Sequence, residues 1–265
     1  MKAKMVRNNW DITFFNEDCF NTMNRMINKN YNVDLIITSP PYNNSRPGAD
    51  DQYNKRYDGY QDSMSKEDYS KFTVDLFNKY DAILSEDGVV LYNLSYSSEN
   101  TDGIWITIGD LIRKTNFTVA DTIIWKKKSA IPNNRSKNKL TRITEYVFVF
   151  VRKNEIKTFN ANKKIVSTIE RTGQANYENI YNFIEAKNND KSCKLNKATF
   201  SSELIEKLLL MYAKKDFVIY DNFMGTGTTA LACKNLGFKC IGSETSKEQY
   251  EYSLDRIIDS QQTLI

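Results

Sequence analysis

Histidine is absent from the 265 residues of this chain. Its absence excludes acid–base catalysis by an imidazole and most zinc sites, because both depend on that side chain. The four cysteines, Cys19, Cys193, Cys233 and Cys240, form no C-x-x-C pair. We therefore expect reduced cysteines and no metal site. Any catalysis must rely on carboxylates, hydroxyls, amides, lysines or the positioning of a substrate.

Long apolar runs are also missing. No stretch approaches the ~20 apolar residues of a membrane-spanning helix, and the N-terminal sequence MKAKMVRNNWDITFF has no signal-peptide core. We therefore expect a cytoplasmic protein without a membrane partner. The composition, with 40% hydrophobic and 26% charged residues, is ordinary for a globular protein. The length suffices for one large α/β domain or two small ones.

Apolar segments of strand length alternate with segments of helical periodicity along most of the chain. The strand-like segments include VDLIIT (33–38), VVLYNL (89–94) and FVIYD (217–221). Such alternation predicts an α/β fold with a mostly parallel sheet and helices on both faces. Residues 154–198 are polar and lack this periodicity, so we interpret them as a small separate lobe or insertion.

The segment YDNFMGTGTTALA lies between a predicted strand and a predicted helix. Gly225 and Gly227 let the backbone turn tightly and approach a ligand, and the following helix offers free N–H groups. Glu244 ends the next strand 19 residues after Gly225 (244 − 225), where acids commonly bind ribose hydroxyls. The pattern indicates an adenosine-containing cofactor without choosing among NAD and others. A tight turn without a ligand is the alternative.

An acid, Asp221, stands at the tip of the strand before these glycines. A carboxylate there would attract an ammonium group and repel a pyrophosphate. S-adenosylmethionine carries an ammonium, a sulfonium and a ribose but no phosphate, so this position favours it over NAD. The absence of G-x-x-x-x-G-K-[ST] argues against a P-loop.

A stiff turn, Thr38-Ser39-Pro40-Pro41-Tyr42, follows the strand at 33–38. The prolines fix φ and remove backbone donors, which leaves carbonyls as acceptors in set directions. The Ser39 hydroxyl, the Pro40 carbonyl and the Tyr42 ring can together hold a planar group that carries an –NH₂. Hydrogen bonds that draw the amine hydrogens out of the ring plane return the lone pair to nitrogen for attack on a sulfonium methyl. A rigid turn without a ligand is the alternative.

These two motifs together resemble those of the DNA amino-methyltransferases, which methylate cytosine N4 or adenine N6. Ser39-Pro40-Pro41-Tyr42 matches the catalytic motif [DNS]-P-P-[YF], and residues 221–229 are similar to the cofactor motif D-P-F-x-G-S/T-G-T-T. The catalytic motif comes first by 182 residues (221 − 39), the order of the beta class. The resemblance implies a circularly permuted, Rossmann-like methyltransferase fold with a seven-stranded sheet, and S-adenosylmethionine as cofactor.

The resemblance also implies the residues that contact the cofactor. FNEDCF resembles the segment that contacts the adenine, and CIGSETSKEQYEYSLDRI the second cofactor segment. KATFSSELIEKLLLMY resembles the helix that helps to hold the methionine moiety. Two departures, Asn222 for the usual proline and Lys197 where many relatives have histidine, fall near the methionine end. The implied cofactor-binding residues are Asp18, Cys19, Thr38, Thr199, Phe200, Asp221, Phe223, Gly225, Gly227, Thr228, Thr229, Glu244 and Thr245.

The sequence leaves two candidates for the target base, cytosine and adenine. Family members with serine before Pro-Pro-Tyr mostly methylate cytosine N4, whereas aspartate or asparagine is commoner in adenine-N6 enzymes. Both bases present an amidine-like –NH₂, so physical argument alone does not choose. We favour cytosine N4, with adenine N6 as the alternative. A catalytically inactive nucleic-acid-binding relative, an NAD dehydrogenase, and an RNA or protein amide as acceptor are the rival interpretations.

Two polar segments are the predicted DNA-contacting parts. Residues 126–142 hold seven basic residues and no acid, although a solvated loop would look the same. Because the target base must flip out of the duplex, phosphate contacts must offset part of that cost. We expect the loop 43–64 to close over cofactor and base. Gln52, Tyr53 and Tyr57 could then contact the target, and ordinary polar loop residues are the alternative interpretation. The least replaceable phosphate contacts are predicted to be Arg135, Lys137, Lys139 and Arg142.

The resemblance divides the chain into a catalytic domain, residues 1–153 and 196–265, and a small target-recognition region, residues 154–195. The implied partner is double-stranded DNA, in a bacterial or phage-encoded setting. The sequence leaves open whether a cognate restriction endonuclease shares the site and whether the protein forms a homodimer.

Overall fold

The computed structural model describes residues 5–8, 10–43, 64–96, 100–130, 132, 137–159, 161–190, 195 and 199–259. The strands in this part of the chain are β1 (Met5–Asn8), β2 (Trp10–Phe15), β3 (Val33–Thr38), β4 (Leu84–Leu94), β5 (Phe117–Lys127), β6 (Thr144–Arg152), β7 (Ile165–Thr168), β8 (Ala175–Tyr177), β9 (Phe183–Ala186), β10 (Val218–Asp221) and β11 (Lys239–Ser243). The helices are α1 (Cys19–Asn28), α2 (Lys66–Ile83), α3 (Gly103–Lys114), α4 (Ser202–Tyr212), α5 (Thr228–Leu236) and α6 (Lys247–Asp259).

The main sheet has the strand order β1-β2-β11-β10-β3-β4-β6-β5-β9. Five of its eight neighbouring pairs are parallel, which confirms the predicted mostly parallel α/β sheet. Its nine strands in the described ranges correct the predicted seven. The two additional strands, β1 and β9, lie at the edges. Each is only four residues long, and one face of so short an edge strand carries too few apolar residues to be recognised.

Two apolar layers cover the two faces of the sheet. Leu35 and Ile37 of β3 pack with α4, α5 and α6, whereas Ile36 packs with α1, α2 and α3. Successive side chains of a strand point to opposite faces, so one continuous apolar run serves both layers. The predicted three-layer arrangement is confirmed. No helix in the described ranges is long and apolar enough to cross a membrane.

The helix boundaries follow the capping residues in the sequence. The Ser65 hydroxyl accepts a hydrogen bond from the backbone N–H of Asp68, at 3.0 Å, and begins α2. Ser201 accepts from Leu204 in the same way, at 3.3 Å, and begins α4. Gly237 ends α5 with a φ of 77°, a conformation that glycine adopts without strain.

Residues 154–195 contribute to two different sheets. The strands β7 and β8 pair as an antiparallel hairpin outside the main sheet. The strand β9 instead pairs in parallel with β5, with Ile124 opposite Phe183, and so extends the main sheet. The polar segment thus combines an outlying hairpin with an edge strand of the central sheet.

The substitution Phe77→Ala should strongly destabilise the fold. Phe77 is fully buried, and its ring centroid lies 4.8 Å from that of Phe150 and 5.2 Å from that of Tyr92. We expect a loss of about 3–5 kcal/mol in the free energy of unfolding, from lost burial and the cavity left behind. Urea denaturation measures it. Phe183→Ala, at a half-exposed ring, is the control and should cost under about 1 kcal/mol; equal losses would contradict the assignment.

Candidate active site

An open pocket lies at the carboxyl edge of the parallel strands, with an empty volume of about 950 Å³ including its solvent-filled mouth. Its walls come from the segments that follow β2, β3, β10 and β11, together with α2 and the residues before α4. Parallel strands place their carboxyl ends at one edge, so segments far apart in sequence meet there. The predicted site residues that line it are Asp18, Cys19, Ser39, Pro41, Thr199, Phe200, Phe223, Gly225, Thr228, Glu244 and Thr245.

Six other predicted residues do not line this pocket. Thr38, Asp221 and Thr229 are buried behind its wall, and Gly227 packs against α6. Pro40 is buried, and Tyr42 lines a second, smaller cavity with Tyr69 and Leu94. The structure also adds lining residues that were not among the predicted site residues: Glu17, Phe72, Asn222, Met224, Ser243 and Gln249.

The glycine turn and Glu244 form one wall as a unit. Gly225 and Gly227 have φ values of 53° and 77°, in the left-handed region that favours glycine. One oxygen of the Glu244 carboxylate accepts the N–H of Gly225 and the other accepts that of Ser246, each at 2.8 Å. Burial raises the pKa of Glu244 above its ordinary value. A carboxylate has about four lone-pair positions, so this one is fixed and can still accept from a ligand.

Asp221 joins three segments from beneath the pocket. One carboxylate oxygen accepts from the Thr38 hydroxyl at 2.9 Å and from the N–H of Phe223 at 3.1 Å. The other accepts from the Thr229 hydroxyl at 2.5 Å. Desolvation by burial raises the pKa of Asp221 to about 6. The residue therefore connects the end of β3, the glycine turn and α5, and its direct contact with a ligand ammonium stays a prediction.

The Ser39-Pro40-Pro41-Tyr42 turn belongs to a buried polar network. The hydroxyls of Ser39 and Tyr42 are 2.8 Å apart. Tyr42 donates to Glu145 at 3.2 Å, and the Asn93 amide nitrogen lies 2.5 Å from the Tyr42 hydroxyl and 3.0 Å from the Glu145 carboxylate. Both hydroxyls of the turn are thus held by side chains from β4 and β6.

Sequence reasoning missed Asn93 and Glu145. Both lie in apolar strands, where a polar residue signals either a buried partner or a site. Lys127 was assigned to a basic segment, but its ammonium pairs with Glu145. Its neighbours also form ion pairs, Lys126 with Glu185 at 2.6 Å and Lys128 with Glu203 at 3.0 Å. These three lysines therefore have intramolecular partners.

The other predicted DNA-contacting residues are placed unequally. Lys137, Lys139 and Arg142 are exposed, whereas Arg135 lies outside the described residues. The Arg142 guanidinium lies over the Tyr96 ring at 5.1 Å and donates to the carbonyl of the same residue.

The predicted covering loop, residues 43–64, is described only at its two ends. Asn43 and Met64 exchange two hydrogen bonds, at 2.9 and 2.7 Å. The loop therefore begins and ends at one fixed point beside Tyr42. Gln52, Tyr53 and Tyr57 lie outside the described residues.

Arg256 of α6 connects two walls of the pocket; it lies at the end of the second cofactor segment but was not among the predicted site residues. Its guanidinium donates to the Thr226 carbonyl and the Thr228 hydroxyl, both at 3.1 Å, and pairs with Asp190 at 2.5 Å. Asp190 in turn accepts from the N–H and hydroxyl of Ser202, at 2.9 and 3.1 Å. The glycine turn is thereby tied to the start of α4, next to the pocket residues 199–200.

The three described cysteines, Cys19, Cys233 and Cys240, are buried and free, and Cys193 lies outside the described residues. Burial raises the pKa of Cys19 to about 12, so it faces the pocket as a neutral thiol. In the described part of the chain, no group of three or more His, Cys, Asp or Glu side chains could hold a metal ion.

The substitution Asp221→Asn should remove a pH dependence of stability. Because the folded pKa of Asp221 is raised to about 6, its contribution to stability is present below about pH 4 and lost as the pH rises through about 6. The variant should therefore gain stability relative to the wild type between these values. We expect about 3 kcal/mol, since one pKa unit corresponds to about 1.4 kcal/mol. Urea denaturation at several pH values measures this difference, and a constant difference would contradict the expectation.

Comparisons with known proteins agree with this geometry. A sequence model described as DNA methylase, of the N6/N4 methyltransferases, matches residues 33–255. The Type II methyltransferase M.Cfr9I of Citrobacter freundii is 22% identical, over 92% of this chain and 87% of that protein.

Two solved structures share the fold. The M1.HpyAVI–SAM complex has a TM-score of 0.64 and 24% identity, over 93% of this chain and 98% of that one. The PvuII DNA methyltransferase (cytosine-N4-specific) has a TM-score of 0.69 and 16% identity, over 96% of this chain and 89% of that one. With the family match covering most of its length, this chain belongs to the DNA methylase family of N6 and N4 amino-methyltransferases.

Proposed function

We propose that this protein transfers a methyl group from S-adenosylmethionine to the exocyclic amine of a flipped-out DNA base, with cytosine N4 as the favoured target and adenine N6 as the alternative. One observation carries the proposal. Ser39 and Pro41 of the catalytic motif line the same pocket as Gly225 and Glu244 of the cofactor motif. A methyl donor and an amine held by these two motifs would therefore be neighbours, as direct transfer requires.

The lining of the pocket fits the cofactor in its chemistry. Glu244, fixed by two backbone N–H groups, offers acceptors for ribose hydroxyls. Asp18 and Cys19 line the same pocket and are proposed to contact the adenine. Phe200 and Phe223 add apolar wall. When bound, S-adenosylmethionine supplies an electrophilic methyl group on its sulfonium.

The protein's contribution is to hold and activate the amine. The Ser39 hydroxyl and the Pro40 carbonyl accept hydrogen bonds from the amine, and the Tyr42 ring packs against the base. Tyr69 donates to the Pro41 carbonyl at 2.8 Å, which fixes the turn from α2. No histidine is needed, because a preorganised set of acceptors returns the lone pair to nitrogen. The choice of cytosine rests on Ser39, the residue that most cytosine-N4 relatives carry.

DNA contacts are assigned to the exposed cations and to the hairpin. Lys137, Lys139 and Arg142 bind phosphates in this proposal, together with Arg135, and residues 154–195 form the target-recognition region. The β7–β8 hairpin supports that role, because all four residues of β7 are exposed. DNA as substrate and bacterial relatives such as M.Cfr9I favour the cytoplasm. A restriction endonuclease that shares the site would fit the relatives described as Type II.

Sequencing that detects modified bases in DNA from cells expressing the protein tests both target and site. We expect N4-methylcytosine at one short sequence. Detection of N6-methyladenine instead would show that adenine N6, the alternative, is the target. If the purified protein incorporates no label from S-adenosylmethionine into any DNA, the proposed methyltransferase activity is refuted.

The substitutions Ser39→Ala and Tyr42→Ala should abolish turnover and leave cofactor binding intact. Loss of one preorganised contact to the amine should lower kcat by about 100-fold or more. Kinetics on the mapped site and calorimetry with S-adenosylmethionine measure the two effects. Tyr31→Ala is the control, because this exposed tyrosine precedes β3 and does not line the pocket. Full activity of Ser39→Ala would refute the role of its hydroxyl.

The substitution Arg256→Met should weaken cofactor binding, because it removes the hydrogen bonds and the ion pair that connect the two pocket walls. We expect about a tenfold loss of affinity for S-adenosylmethionine, measured by calorimetry on folded protein. Arg152→Met is the matched control. Arg152 is similarly enclosed and donates to Asp81 at 2.6 Å and the Leu84 carbonyl at 2.7 Å, but does not line the pocket. It should lower stability alone, so equal losses of affinity would argue against this role of Arg256.

A further inference from the structure

Asn93 is a buried polar residue beside the catalytic turn. It lies near the end of β4, which pairs in parallel with β3 so that Thr38 is opposite Tyr92. The next residues along the two strands, Ser39 and Asn93, are therefore neighbours, and the Asn93 amide nitrogen is 3.4 Å from the Ser39 hydroxyl. Only 4% of Asn93 is exposed.

The orientation of the Asn93 amide is set by Glu145. The Glu145 carboxylate is buried at the start of β6, where it accepts hydrogen bonds from the Lys127 ammonium and from the Tyr42 hydroxyl. A carboxylate paired with an ammonium accepts hydrogen bonds and donates none. The amide nitrogen must therefore face Glu145, as it does at 3.0 Å, and the amide oxygen must face away.

The amide oxygen of Asn93 has no hydrogen-bond partner among the described residues, although it is buried. A buried acceptor without a donor is costly, and native proteins rarely keep one without a reason. The nitrogen of the same amide lies 3.4 Å from the Ser39 hydroxyl and 2.5 Å from the Tyr42 hydroxyl, so a donor on a substrate held by this turn would lie close to the oxygen.

We propose that Asn93 recognises the target base by its amidine edge, an inference that rests on the proposed function. Cytosine presents the N4 amine as donor beside the N3 acceptor, and adenine presents N6 beside N1. The Asn93 oxygen accepts an amine hydrogen, shared with Ser39, while the other amine hydrogen goes to the Pro40 carbonyl. One amide hydrogen stays on Glu145. The second amide hydrogen of Asn93 points to the Tyr42 hydroxyl, at 2.5 Å, in the structure. It donates to the ring nitrogen when the base is bound.

This arrangement rejects the other two bases. Thymine and guanine present a carbonyl beside a ring N–H, the reverse order of acceptor and donor. An asparagine free to turn over would pair with either order. Because Glu145 prevents the amide from turning, Asn93 accepts only the amidine order. Glu145 is a positioning residue in this scheme, held by Lys127.

The test uses duplex oligonucleotides that contain the mapped site, with either the target base or thymine at the target position. Wild type should bind the target duplex more tightly than the thymine duplex by about 10- to 100-fold. Asn93→Leu, which keeps the volume and removes both polar atoms, should lower this ratio several-fold and lower kcat, while the Pro40 carbonyl accounts for the discrimination that remains. The affinity for S-adenosylmethionine should change less than about twofold, because Asn93 does not line the cofactor pocket.

Two further variants separate recognition from folding. Glu145→Gln should keep binding of the target duplex but lose much of the discrimination against thymine, because a neutral amide can accept either orientation of Asn93. Asn116→Leu is the matched control. Asn116 is exposed and donates to the Asp81 carboxylate at 2.6 Å, so its loss should leave the ratio unchanged.

The outcomes separate this inference from the proposed function. If wild type transfers methyl groups to DNA and Asn93→Leu keeps the discrimination ratio, recognition by Asn93 is refuted and the proposed function stands. A variant with lower kcat but an unchanged ratio would make Asn93 merely structural. If Asn93→Leu does not fold, Glu145→Gln decides, and a retained ratio overturns the scheme. If wild type methylates no DNA, both fall together.

Discussion

The carboxylate of Asp221 lies where the two halves of the site meet. It accepts from Thr38 at the end of β3 and from Thr229 in the first turn of α5, two segments that are 191 residues apart in sequence (229 − 38). Burial makes the ionised form costly, and three donors offset part of that cost. The Asp221 carboxylate therefore fixes the end of β3 against the glycine turn, in addition to the backbone pairing of β3 with β10.

The order of the strands extends this constraint to the rest of the site. The strand β10 lies between β3 and β11, so the catalytic turn and Glu244 end on either side of the glycine turn. All of these strands are parallel, and their carboxyl ends form one edge. The antiparallel neighbour β6 enters this edge with its first residues, which brings Glu145 to the catalytic turn. Parallel and antiparallel strands thus supply different polar groups to one site.

The sequence motifs predicted the structural features that depend on local backbone geometry. The glycine turn and the strand ends appear where the sequence placed them, because conformation there is set by neighbouring residues. Contacts between distant segments carry no such local signal. Glu145 opens an apolar strand and Arg256 lies in a mixed helix, and their partners at Asn93 and Asp190 are known only from the fold. For the same reason, ion pairs made by Lys126–Lys128 were not foreseen.

The attachment of the β7–β8 hairpin to the rest of the chain determines how freely its sequence and length can vary. Lys164 and Glu178 close its base through two hydrogen bonds, each of 2.9 Å. Further along, Asp190 is fixed by Arg256 and Ser202. Residues between 164 and 178 can therefore be replaced, shortened or lengthened while both attachment points stay in place. Changes in this hairpin would thus leave undisturbed the Asp190 carboxylate that holds Arg256 beside the glycine turn.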